Sequence, residues 1–127
     1  MIVRLTCFAL IFFAAPVNAA LVHIAWSEQG EFQHQQAIEA GGYAEVCGAL
    51  GEDEWIAWAF EASGALDFNI HYHEDEKVIY PLEAAASEAL ADILVVAVAQ
   101  TYCWMWTNQK DQPVQLNLQL SRDSPDP

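Results

Sequence analysis

The sequence predicts an all-β fold, an antiparallel β-sandwich of jelly-roll-like kind, and three observations carry that expectation. Apolar and polar residues alternate with a period of two in several short stretches, most clearly where Val114, Leu116, Leu118 and Leu120 interleave with Gln115, Asn117 and Gln119. Turn-forming clusters rich in Gly, Asn, Asp and Pro separate those stretches at short intervals. The chain of 127 residues is 54% apolar, enough to pack one domain around one core.

The first segment is not part of that domain. Arg4 supplies a positive start, Leu5 to Ala15 forms an uncharged apolar run of 11 residues, and Pro16 ends it. A run this short does not span a bilayer and reads as a secretory signal. Val17 and Ala19 fit a cleavage site, so residues 1–19 are expected to be removed, with cleavage after Ala20 as the close alternative. Cys7 stands at the start of the apolar run, not at its end, and so is not a lipid-attachment cysteine. The single domain is expected over 20–120.

Within the domain, Glu28 to Ala40 has moderate helix propensity, but Phe32, His34, Gln36 and Ile38 fit a strand, and a strand is the preferred reading. Strand character dominates from residue 43 onward. Further strands are expected at Trp55 to Ala62, Phe68 to His73, Ile93 to Ala99, Tyr102 to Thr107 and Val114 to Leu120. Turns are expected at Gly41-Gly42, Gly51 to Glu54, Ser63-Gly64, Glu74 to Glu76 and Asn108 to Pro113. Ala- and Glu-rich Glu83 to Leu90 predicts one short helix on a long connection. The tail 121–127, with two prolines and two aspartates in its last five residues, is expected to be disordered.

Charge excludes whole classes of partner. Four Lys+Arg against 18 Asp+Glu give a formal charge of −14, and loss of Arg4 with the signal makes it −15. Such a surface repels phosphates and offers no basic stripe, which excludes nucleic acid and disfavours anionic lipid. No second apolar run is long enough to span a membrane, so no integral segment is expected after cleavage.

Four groups of residues are candidates for chemistry. His71 and His73, two apart on a strand, project from one face about 7 Å apart and are spaced to share a metal ion. Cys103 and Met105 repeat that spacing with soft donors, which together with two histidines would favour copper. Tyr102, Trp104 and Trp106 share the opposite face of the same strand, which is either a stacking platform for a ligand or part of the core. His23, near the expected mature N-terminus, has the spacing of a terminal Cu(II) chelate if cleavage follows Ala20. No nucleophile elbow, phosphate loop or zinc-protease helix is present, so no catalysis is expected. Signal removal leaves two cysteines, Cys47 and Cys103, and an even count in an exported chain suggests one disulfide.

Glu45-Val46-Cys47, then Ile56 to Ala62, Gly64 to Ile70 and Lys77 to Tyr80, followed by Tyr102 to Asn108 and Val114 to Leu120, resemble a GOLD (Golgi dynamics) domain. The stretches Phe68 to His73 and Tyr102 to Asn108 also resemble small exported bacterial proteins of unassigned function. The GOLD resemblance implies a β-sandwich interaction module, not an enzyme, with Cys47 bonded to Cys103. In the chain-entropy description such a bond adds about 4 kcal/mol of stability. The sequence departs from the GOLD pattern in the position of Cys103, which directly follows Tyr102, and in Gln100 where Gly is usual. The resulting expectation is an exported, non-enzymatic binding or structural module with a protein or small-ligand partner. Its rival is a periplasmic copper-binding protein that uses His71 and His73 with Met105 or reduced Cys103.

Overall fold

The computed structural model describes residues 21–123; the expected signal peptide and residues 124–127 of the expected tail lie outside them. Seven strands form one mixed, curled sheet: β1 (Leu21–His23), β2 (Glu31–Ile38), β3 (Tyr43–Leu50), β4 (Trp55–Glu74), β5 (Lys77–Val95), β6 (Gln100–Thr107) and β7 (Val114–Arg122). The order is β1-β3-β6-β4-β7-β2, with β5 on the other edge of β4. The all-β expectation holds, with one qualification: β1 runs parallel to β3, so the sheet is not purely antiparallel.

The long strand β4 organises the molecule. Its first part, Ile56 to Ala62, pairs with β7, and its second, Asp67 to His71, pairs with β6. Between them lies Ser63-Gly64, expected as a turn; here it is a bend inside one strand, where the register with β5 shifts. Ser63 Oγ accepts the Gln115 N–H at 2.8 Å, holding the bend against β7. A bulged strand that changes neighbours is how a sheet curls around its own core.

That core shows a simple regularity. Every residue of the apolar cluster, from Ile38 through Trp58, Phe68 and Trp104 to Leu120, carries an even number. Side chains alternate faces along a strand, so constant parity means that each turn and bulge keeps the same face inward. The rings join the two halves of the sheet: Phe60 lies 4.9 Å from Phe68 and 5.7 Å from Trp106, and Trp58 lies 5.1 Å from Phe68. Burying one such ring is worth about 4–6 kcal/mol. This offsets the cost of about 1–3 kcal/mol for each of the Trp104 and Trp106 indole N–H groups, which are buried without an acceptor.

Three expectations are corrected. Glu83 to Leu90 is not a helix but the middle of β5, because β4 presents an open edge that it pairs from Lys77 to Val95. Leu82 and Leu90 pack on the core, and the Ala86 N–H, at a bulge with φ 42°, is accepted by Asp67 Oδ1 at 2.9 Å. Tertiary pairing overrides the local preference of Ala and Glu. Ile93 to Ala99 is not a separate strand; β5 ends at Val95, and the Val96 N–H donates to the Glu54 carbonyl at 2.9 Å in the turn that follows. At the C-terminal end, Ser121 and Arg122 belong to β7 rather than to a disordered tail, and the Arg122 N–H donates to the Gly30 carbonyl at 2.8 Å.

Candidate functional site

Since even positions form the core, odd positions make up the outer face. The odd-numbered side chains that are nonetheless buried, among the described residues, are Cys47, Cys103 and His71. They are in register: β6 places Cys103 opposite Cys47 of β3, and β4 places His71 opposite Cys103. Cys47 and Cys103 are bonded to each other as a disulfide. Glu45, two residues before Cys47 and so on the same face, leans over the row, with Oε1 3.3 Å from His71 Nε2 and 3.7 Å from Cys47 Sγ.

The imidazole is held at its other nitrogen as well. Asn69 Oδ1 lies 2.7 Å from His71 Nδ1 and accepts from it, which leaves Nε2 to face the Glu45 carboxylate. Burial pushes the His71 pKa below its ordinary value; the Glu45 carboxylate pulls it up and His73 pushes it further down. His71 Nε2 and the Glu45 carboxylate thus face each other at 3.3 Å. That arrangement is electrostatically incomplete without a proton or a cation between them.

The structure places the sequence candidates as follows. His71 belongs to a three-donor group with Glu45 and Cys103, whose donor atoms lie within 4.8 Å of one another. His73 shares the face but is exposed, its ring edge-on to His71 at 5.3 Å, and it pairs with Val78 near the end of β4. Met105 is half-buried on β6, between Glu45 and Asn69 by register. Tyr102, Trp104 and Trp106 are 1%, 0% and 0% exposed, so they form core and not an outward stacking platform. Their even parity, shared with the rest of the core, decides this; the strand's own alternation does not say which of its faces is turned inward. His23 pairs in register with Cys47 on β1. Glu45 is the functional residue that sequence reasoning missed, since only strand pairing brings it beside His71; Asn69, two positions before His71 on β4, shares its face by the strand period alone.

A second feature lies on the outer face of the other half. Strands β2, β7, β4 and β5 frame an open groove of about 560 Å³ with Ala57, Ala59 and Ala91 among its lining residues and Ile93 on one side. Trp55 pairs with Val95 next to the Ala57–Ile93 pair, and Trp55, Ile93 and Val95 are each more than half exposed. Glu31 and Asp92 are also among the residues that line it. The small side chains along β4 and β5 make the depression, and the large apolar ones beside it make a ridge.

Together these define a small all-β domain with a covalent staple and an apolar, acid-rimmed depression. In structure the chain is similar to periplasmic inhibitors of g-type lysozyme. Against PliG of Aeromonas hydrophila the TM-score is 0.61 at 10% identity, covering 81% of this chain and 96% of that one. Against PliG of Salmonella Typhimurium it is 0.58 at 7% identity, covering 84% and 100%. A mutant of the Escherichia coli inhibitor gives 0.56 at 9% identity, covering 81% and 97%. No protein-family model and no curated protein matches the chain. At these identities the likeness establishes the fold. No helix among the described residues is long and apolar enough to cross a membrane.

Proposed function

We propose that this chain is an exported, periplasmic protein-binding module without enzymatic activity, whose partner is a basic protein of the lysozyme kind. The observation that carries the reading is the fold match, which takes in nearly the whole length of three inhibitors described as periplasmic. The GOLD resemblance supports the same class, an interaction module on a β-sandwich. Charge gives the partner its sign. A chain at −14 attracts a basic protein over roughly a Debye length, about 8–10 Å, and repels an acidic one.

The groove beside Trp55, Ile93 and Val95 supplies the contact. Exposed aromatic and branched apolar side chains next to a depression are the residues that dominate binding energy, and the carboxylates of Glu31 and Asp92 would receive basic groups at the rim. The test is titration of the purified protein against a g-type lysozyme, followed by heat and by hydrolysis of cell-wall substrate. The expected outcome is a 1:1 complex that inhibits the enzyme and weakens as salt rises. Trp55→Ala should weaken it by about 30-fold, the equivalent of a 2 kcal/mol hot spot. No binding to the g-type enzyme at low salt overturns the choice of partner, and a tight complex indifferent to Trp55 and Ile93 overturns the choice of surface.

A further inference from the structure

The row Cys47, Cys103, His71, with Glu45 over it, has no part in the binding proposed above. Two of its distances bear on what it is for. A tetrahedral zinc ion bound at about 2.0–2.1 Å by a nitrogen and an oxygen sets those atoms about 3.3–3.4 Å apart, and thiolate sulfur at about 2.3 Å sets the sulfur–oxygen edge near 3.5 Å. The His71 Nε2 to Glu45 Oε1 distance is 3.3 Å and the Glu45 Oε1 to Cys47 Sγ distance is 3.7 Å. The third donor atom, Cys103 Sγ, lies within 4.8 Å of both the His71 and the Glu45 donors. Two edges of a tetrahedron are thus close to size and Cys103 stands within reach of both donors, while the sulfur–sulfur edge is closed by the covalent bond.

The imidazole is prepared for the same task. A metal-bound histidine donates its second ring N–H to a carbonyl or carboxylate, which fixes the tautomer. Asn69 Oδ1 does this for His71 Nδ1 at 2.7 Å and leaves Nε2 as the donor. His71, Cys47 and Cys103 are 5%, 4% and 6% exposed, so an ion there would lose most of its water to the protein.

We propose that reduction of the Cys47–Cys103 disulfide creates a zinc(II) site in which Cys47, Cys103, His71 and Glu45 are the ligands and Asn69 positions His71. An external dithiol donates two electrons and two protons, becoming a disulfide itself, and yields two thiols. Zinc then takes the place of the two thiol protons, which leave to solvent. In the oxidised chain only His71 and Glu45 remain as charged or basic donors, and the site is closed. The donor set selects the metal: two thiolates and an imidazole suit zinc or copper(I), and the carboxylate favours zinc.

The experiment is zinc(II) competition with a chromophoric chelator on the full mature chain, oxidised and then reduced with a phosphine, with cobalt(II) as a spectroscopic stand-in. The expected result is one zinc per reduced chain, bound at least about 1,000-fold tighter than by the oxidised chain, with thiolate-to-cobalt charge transfer in the spectrum. His71→Ala should lower the affinity at least about 100-fold, and Glu45→Gln and Asn69→Ala about 10-fold each. Met105→Leu should leave it unchanged. Affinity equal in both redox states overturns the proposal. So does zinc binding by the reduced chain that is indifferent to His71 and Glu45, since two cysteines of an unfolded chain would do the same. Should reduction loosen the fold, zinc must restore the near-ultraviolet circular dichroism, and binding without that recovery also refutes the site. Preference for copper(I) with dependence on Met105 rather than Glu45 would likewise overturn it. None of these outcomes bears on lysozyme binding.

Discussion

Asn108→Ala tests how the sheet is closed at one end. Asn108 is fully buried where β6 leads into the turn before β7. Its Nδ2 lies 3.1 Å from the Ile38 carbonyl, 3.3 Å from that of Glu39 and 2.7 Å from that of Gln112, and its Oδ1 accepts the Lys110 N–H at 3.0 Å. One amide has two hydrogens, so the three donor contacts amount to two full bonds, one of them shared. Alanine therefore removes three bonds at about 1 kcal/mol net each, and carbonyls at the end of β2 are left in a site closed to water. The sum is about 3–4 kcal/mol of lost stability. With a urea slope of about 1.5 kcal/mol/M, the unfolding midpoint of the disulfide-intact protein falls by about 2 M with the slope unchanged. Asn108→Asp should be at least as damaging at neutral pH, because it sets a carboxylate against carbonyl oxygens. A loss below about 1 kcal/mol for the alanine variant would show that water replaces the amide, and would refute the clamp.

Three further outcomes follow from other parts of the molecule. Cys47→Ser and Cys103→Ser should each cost about 4 kcal/mol, and the double variant no more than about 0.5 kcal/mol beyond either, read by urea unfolding. Gly30→Ala should cost about 1–2 kcal/mol in a thermal melt, because Gly30 has φ 74° and a Cβ there would meet the Arg122 carbonyl oxygen at 2.9 Å. The pH dependence concerns His71 in the oxidised, metal-free protein, faced by Glu45, His73 and the Tyr80 ring. Burial lowers its folded pKa below 6.5, so between those two values the unfolded chain binds the extra proton. Its contribution to stability is complete above pH 6.5, is lost as pH falls and levels off below the folded pKa. The difference in urea midpoint between wild type and His71→Gln should change across that window, and a constant difference would refute the assignment.

How much of this was legible in the sequence depended on whether a signal was local. The alternation of Val114 to Leu120 predicted β7, since that strand has one apolar and one polar face. The strand at Phe32 to Ile38, within β2, was legible in the same way. β5 was not, because an outer strand that buries little beyond Leu94 has no need of an apolar face, and its Ala and Glu residues carry a helical signal that pairing overrides. The bend at Ser63-Gly64 looked like a turn for a related reason: a glycine that lets a strand change neighbours and one that ends a strand look alike until the partners are known. At the site, His71 was legible as a candidate ligand and Cys103 as a disulfide partner. Glu45 was not, because what distinguishes it among the 18 acidic residues is that β3 pairs with β6 and β6 with β4.

That same pairing decides whether a reduced form of the protein is a folded protein. The disulfide sits on odd positions, outside the aromatic core formed by the even ones, so breaking it opens no cavity among Trp104, Trp106, Phe60 and Phe68. Its removal subtracts about 4 kcal/mol from a margin that for a domain is typically about 5–15 kcal/mol, while the eight-residue ladder between β3 and β6 remains. A cross-strand pair inside the core would lack this property, since freed thiols there would be unpaired groups in a packed interior. On the outer face they have Glu45 and His71 beside them, so reduction exchanges a covalent staple for a set of donors on strands already held in register.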